Sequence, residues 1–157
     1  MTANDIPTNQ WQHFKKTEFP SGVLDHMDAR LLTECLFPLR QVSGVSMMPS
    51  SLYGAHVRHT DGRSLHCTHN KTRLSQATDF HVATHDKMMR VVNQAETLES
   101  IGGIGIYFDT HRPMIHIDMR SERLMWLRYA DRGRGVYLYR ENGYIEFYKK
   151  LGELLCQ

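Results

Sequence analysis

Cysteine is scarce and unpaired in this sequence. Cys35, Cys67 and Cys156 are odd in number, far apart and form no CxxC motif. A disulfide framework is therefore not expected, and a reducing compartment fits better. Long apolar runs are missing as well: none approaches the roughly 18 residues a membrane span needs. The opening stretch MTANDIPTNQW lacks the basic and apolar regions of a secretory signal, so cytoplasmic synthesis is expected. Nor is there an excess of one charge. Nineteen Lys and Arg against seventeen Asp and Glu leave +2 over 157 residues. That balance does not support nucleic acid as a partner, and it weighs against a nuclease reading of the HNK tripeptide. HExxH is absent, and so are internal repeats and low-complexity segments.

Histidine, by contrast, is plentiful at ten residues. It is the commonest metal ligand among side chains. His13, His26, His56, His59 and His111 are read as exposed surface residues, which leaves the others for chemistry.

The length suits one domain with a real core. Residues 1–22 are polar, with Pro7, Pro20 and Gly22, and read as an irregular lead-in to a single domain over 23–157. Leu31, Leu32, Cys35, Leu36 and Leu39 recur at helical spacing. Asp28 is the expected N-cap of that helix, Gly44 its stop, and Pro38 a kink. A short strand and a loop follow. Ala77, Asp79 and His81 then alternate with Thr78, Phe80 and Val82, which predicts a strand over 77–82.

A second helix is expected after a Thr84 or Asp86 cap, with Met88, Val91, Val92, Ala95 and Leu98 on one side and Gly102-Gly103 at its end. IGIYF reads as a short apolar strand. RPMIHIDMR alternates strictly, putting Met114, His116, Asp118 and Arg120 on one face and Ile115, Ile117 and Met119 on the other. GVYLYRENGYIEFYKKLGELL reads as a β-hairpin turning at Asn142-Gly143. This order of elements argues an α+β fold, a mainly antiparallel sheet with helices packed on one face.

Two strands thus carry polar faces, one with Asp79 and His81, the other with His116, Asp118 and Arg120. SLHCTH supplies His66 and His69 from a loop just upstream. A catalytic zinc uses three protein ligands and one open position for water. A His–Asp–His set drawn from this loop and these two strands meets that need.

SLHCTHNKTRLSQATDF followed by GGIGIYFDTHRPMIHIDMR resembles the M15 group of zinc peptidases. These are D-Ala-D-Ala carboxypeptidases, murein endopeptidases and phage-type peptidases that share a fold with the hedgehog N-terminal domain. Their pattern runs Ser-x-His, Gly-x-Ala-x-Asp, a short Gly/Tyr-containing strand, then a strand bearing His-x-Asp or His-x-His. Ser64-Leu65-His66, Ser75-Gln76-Ala77-Thr78-Asp79 (Ser for Gly), Ile104 to Phe108 and His116-Ile117-Asp118 match it in turn. The resemblance covers roughly residues 24 to 128.

It implies Zn²⁺ held by His66, Asp79 and His116, and peptidoglycan stem or cross-bridge peptides containing D-amino acids as substrate. It also implies a protein encoded by a phage or prophage and acting at the cell wall. The chain departs from the pattern in two ways. Twelve residues separate His66 from Asp79 where the family has six, so His69 is a rival first ligand. Pro113 and Met114 occupy the positions where relatives carry a catalytic Glu or His, and neither can transfer a proton. Asp118 is then either the general base or the carboxylate that orients His116. His81 is the other candidate base. Arg58 or Arg120 is expected to hold a substrate carboxylate, the alternative for each being a solvated surface arginine. A metal-binding module with the same fold and no turnover is the alternative to the peptidase.

Overall fold

The computed structural model describes residues 1–11 and 13–156. The first long helix occupies 29–43. Its start is capped by Asp28, whose Oδ1 accepts the Arg30 N–H at 3.0 Å. Leu31–Leu36 is wound as a π-helix, and α1 (Phe37–Ser43) continues it. Pro38 accounts for the widening. A proline inside a helix lacks an N–H, and its ring crowds the carbonyl four residues back, so the backbone loosens upstream instead of breaking. Gly44, at φ +61°, closes α1 in the left-handed conformation.

α2 (His85–Ala95) is capped by the Thr84 hydroxyl, which accepts the Lys87 N–H. It buries Met88, Val91, Val92 and Ala95, a stripe at i, i+3, i+4, i+7. The helix stops well before Gly102-Gly103, contrary to the sequence expectation. Gly103 instead begins a strand, for a reason that lies in the site.

Six strands form one sheet: β1 (Met48–Pro49), β2 (Ala77–His81), β3 (Gly103–Tyr107), β4 (Met114–Asp118), β5 (Leu124–Asp131) and β6 (Arg134–Tyr139), in the order β1-β2-β4-β3-β5-β6. β3 and β5 pair in parallel; every other neighbour is antiparallel. The fold is therefore α+β with a mostly antiparallel sheet. One helix face supplies the cover: residues from α1, α2 and α3 share a single core with Phe80, Ile104, Ile106, Ile115, Ile117, Met125 and Leu127.

The hairpin expected at Asn142-Gly143 lies elsewhere. β5 and β6 turn through Arg132 and Gly133, both at positive φ (+49° and +77°), as a two-residue turn with that hand requires. Residues after Gly143 form α3 (Tyr144–Leu155). Phe147, Leu151 and Leu154 bury at i, i+4, i+7, a helical period that overrides the local turn signal.

The described residues among 1–22 contain short 3-10 turns and no α-helix or strand, yet Ala3, Ile6, Phe14 and Phe19 belong to the same core as the sheet. All three cysteines are free. No described helix is long and apolar enough to cross a membrane.

Candidate metal centre

The opposite face of the sheet carries the chemistry, and strand register puts it in rows. Asp79 on β2 pairs with His116 on β4; His116 pairs with Gly105 on β3, Gly105 with Trp126 on β5, and Trp126 with Tyr139 on β6. One row away stand Ala77, Asp118, Gly103 and Leu124. One row the other way stand His81, Met114, Tyr107, Arg128 and Tyr137. Period-two alternation on five strands in register builds this array.

His66 comes onto it from the loop. Its Nε2 lies 3.1 Å from His116 Nδ1 and 3.6 Å from Asp79 Oδ1; His116 Nδ1 lies 2.8 Å from Asp79 Oδ1. Three donors placed tetrahedrally about 2.0–2.1 Å from a zinc ion stand roughly 3.4 Å apart. The observed separations bracket that value. His66, Asp79 and His116 are 3 %, 6 % and 5 % exposed, so water does not solvate them freely. This buried group could hold a metal ion.

Hydrogen bonds aim each ligand. The His66 Nδ1–H donates to the His56 carbonyl at 3.4 Å, which turns Nε2 inward. The same carbonyl accepts the Ser75 hydroxyl. His56 is itself fully buried, its Nε2 bonded to the Ser50 carbonyl at 2.7 Å and its Nδ1 to the Thr78 hydroxyl at 2.6 Å. The expectation that His56 is an exposed surface residue is therefore corrected: it clamps the loop over β2, and burial lowers its pKa.

His116 Nε2–H donates to Asp118 Oδ2 at 3.0 Å, leaving Nδ1 for the metal position. A carboxylate behind a ligand histidine fixes its ring and raises its basicity. Burial disfavours the charged imidazole, yet Asp118 and Asp79 outweigh it and lift its pKa to about 9 without a metal. Burial likewise opposes ionisation of Asp79 and Asp118. Hydrogen bonds and charge from His116, joined by His66 for Asp79 and Arg120 for Asp118, hold both carboxyls well below the usual carboxylate range.

These positions resolve several sequence alternatives. His69 is not in the cluster; it lies on a loop at φ +44°, bonded through Nε2 to the Gly62 carbonyl. Asp118 is fully buried on the far side of the His116 ring from Nδ1, its oxygens taken by His116 and Arg120. It orients His116 and does not face the space among the three donors. Arg120 is bound to Asp118 and stacks on Trp126 at 5.2 Å, so its charge is already committed. Arg58 is exposed, donates from Nε to the Gly54 carbonyl, and forms no ion pair among the described residues. His81 shares the Asp79 face, and its buried Nδ1 has no hydrogen-bond partner.

Two glycines make room for all this. A Cβ on Gly103 would lie 2.3 Å from both Asp118 carboxylate oxygens, and one on Gly105 2.7 Å from the Trp126 indole. Sequence reading missed this role, although the G-x-G-x-Y parity of β3 was visible: the glycines fall on the Tyr107 face.

A cavity of about 320 Å³ opens beside His66 and His116, walled by Trp126, Tyr139 and Arg120. A second of about 510 Å³ opens beside Asp79 and His81. Arg58, Tyr107 and Tyr137 border both. Comparison with known protein families, curated proteins and solved structures finds no match for this chain.

Proposed function

We propose that the His66–Asp79–His116 group holds zinc and that the protein is a zinc peptidase of the M15 type, with the hedgehog/DD-peptidase arrangement. The observation that carries this reading is the donor triad itself. Two imidazoles and a carboxylate, at tetrahedral spacing and with one imidazole backed by Asp118, lie at the floor of an open groove. Three protein ligands leave a fourth position for water or a substrate oxygen, which is the pattern of catalytic zinc sites. Zinc bound there supplies carbonyl polarisation and hydroxide at neutral pH.

The chain's own residues do the rest. His66 is kept in its ligand tautomer by the His56 carbonyl, and His116 by Asp118. Arg58, free of any ion pair among the described residues, supplies a guanidinium to a substrate carboxylate. His81 Nδ1 is the group that can accept a proton from the groove, since Pro113 and Met114 cannot and Asp118 is turned away. The substrate class in this reading is a peptidoglycan stem or cross-bridge peptide with D-amino acids, met at the cell wall by a phage-encoded protein.

One observation favours a second reading, a metal-binding module without turnover: the conventional base positions hold Pro113 and Met114. Metal analysis followed by incubation of the zinc-loaded protein with purified peptidoglycan separates the two. One zinc per chain with release of new amino and carboxyl termini supports the peptidase. Zinc without any cleavage supports the binding module, and absence of zinc binding rejects both.

A further inference from the structure

The described residues hold three buried side-chain polar atoms with no hydrogen-bond partner: His81 Nδ1, Asp109 Oδ1 and Arg128 Nε. Buried polar groups are nearly always bonded, so each orphan calls for a partner. Two of them share one cavity, and the third adjoins Arg128. His81 and Arg128 line the 510 Å³ cavity on the Asp79 side of the metal centre. Arg128 Nε stands 3.1 Å from Asp109 Oδ2, near enough for ion pairing but misaligned for a hydrogen bond.

The guanidinium is also well held. It lies over the rings of Tyr107 and Tyr137, at 5.4 and 5.7 Å from their centroids. Aromatic faces fix a cation without using up its N–H donors. The uncommitted Arg58 reaches the same cavity, and His111 stands at its edge. The acidic group in the described lining is Asp79, whose Oδ1 is already bonded to His116 at 2.8 Å. Asp109 stands beside Arg128 on its Nε side only, which leaves the terminal nitrogens of the guanidinium as donors. Cationic donors therefore face a roomy cavity with apolar walls, Met114 and Leu52 among them. A few convergent polar groups on an apolar wall are the usual form of a ligand subsite.

We propose that this cavity is a carboxylate-selective subsite, with Arg128 as the anchor and Arg58 as the second donor, for a carboxylate on the molecule bound at the metal centre. The sheet geometry sets the distance. Arg128 sits one row from His116, about 6.7 Å along a strand, and two strands across, about 9.6 Å, so the two backbones are roughly 12 Å apart. The arginine side chain spans about half of that, and an extended peptide advances about 3.4 Å per residue, so the carboxylate belongs to a residue within about two of the bond over the metal. The inference rests on the peptidase reading for the ligand's being a peptide; the cavity's preference for a carboxylate does not.

Two blocked probe pairs test it by NMR titration. N-acetylglutamate α-methylamide against its glutamine counterpart offers a side-chain carboxylate. N-acetylalanine against N-acetylalaninamide offers a terminal one. The expected result is at least tenfold tighter binding of the carboxylate member of one pair, and which pair shows it identifies the source. The preference should persist in metal-free protein, because coordination to zinc would not. It should fall below about threefold in Arg128→Gln and weaken in Tyr137→Leu, a milder change at a half-exposed ring. Equal binding within both pairs overturns the subsite, as does a preference that survives Arg128→Gln in folded protein or disappears with the metal. Peptides with Glu or Gln at the positions flanking the cut bond on either side complete the design. Cleavage without a carboxylate preference retains the peptidase and rejects the subsite; probe preference without cleavage does the reverse.

Discussion

The two faces of the central strands are equally dry and chemically opposite. On β4, Ile115 and Ile117 face the helices and Met114, His116 and Asp118 face the groove, and all five are buried. The first set is held by apolar burial, worth roughly 1.5–3 kcal/mol for a fully buried Ile. The second is held by a chain of charge-assisted bonds running Asp79–His116–Asp118–Arg120. Buried ion networks are a weak source of net stability, because desolvation offsets most of the Coulombic gain. What such a network provides here is direction: every ligand atom points at one position. One face specifies the fold, the other aims donors.

The sharpest way to break that comparison is to remove one ligand. If the group holds zinc as proposed, His66→Ala, Asp79→Ala and His116→Ala should each take it from one per chain to near none at micromolar metal, measured by elemental analysis after dialysis. His69→Ala should leave the stoichiometry at one. Loss of zinc with His69→Ala, or its retention with His116→Ala, would reject the centre described above.

A smaller effect contrasts neighbours on β4. Asp118→Asn keeps the shape but weakens the acceptor behind His116, and loss of such a partner typically lowers metal affinity 10–100-fold. Ile117→Val, one residue away on the other face, should cost about 0.5–1.5 kcal/mol of stability. Its zinc affinity should stay within twofold of wild type. Competition against a chromogenic chelator, read beside denaturant unfolding, separates the two. Should Ile117→Val reduce affinity as much as Asp118→Asn, the functional division between the faces fails.

Alternation told which residues share a face, and that much of the site was legible: residue type and parity offered a His–Asp–His set from one loop and two strands, and the family resemblance, not spacing, pointed to His66, Asp79 and His116 within it. The helix from Asp28, the strands holding Asp79 and His116 and the α+β class were legible from periodicity. Three things were not. Alternation cannot tell a wet polar face from a covered one, so the burial of Asp118, which makes it an orienting group, is a tertiary fact. Local turn chemistry also misled at Asn142-Gly143, where the helical period of Phe147, Leu151 and Leu154 prevails. β5, carrying Trp126 and Arg128 to the groove, was missed because LRYADRGRG has few apolar residues and a turn through Arg132, an atypical residue at positive φ.

Titration distinguishes the faces more gently. On β4 the apolar face, Ile115 and Ile117, has nothing to ionise. In metal-free protein Asp79 and Asp118 have depressed pKa values, so their contribution is present above about pH 4 and is lost as pH falls. His116 is raised to about 9, so its contribution is complete below its ordinary value of 6.5 and is lost as pH rises through 9. The melting temperature of the metal-free protein should therefore decline between pH 6.5 and 9. Zinc should abolish that alkaline decline, because the metal takes the place of the Nδ1 proton. At pH 7 zinc binding should release about one proton from His116, read by calorimetry in buffers of different ionisation heat. A flat metal-free profile over that range would mean that His116 is not held as an imidazolium.

The smallest effect tests whether the glycines on the groove face are there for space. Gly152 lies on α3 with nothing within 4 Å of where a Cβ would stand. Alanine there should stabilise the protein by about 0.5–1 kcal/mol, the ordinary gain of replacing glycine inside a helix. Gly103 has the same ordinary strand backbone as its neighbours, but its missing Cβ is where the Asp118 carboxylate lies. Backbone freedom therefore does not explain it, and the same substitution should change sign. Gly103→Ala should cost about 1–3 kcal/mol, as overpacking does. Because the displaced group is Asp118, it should also reproduce part of the zinc-affinity loss of Asp118→Asn. If Gly103→Ala proves as benign as Gly152→Ala, the Asp118 carboxylate does not occupy that space in solution. His116 would then have to owe its orientation to Asp79 alone.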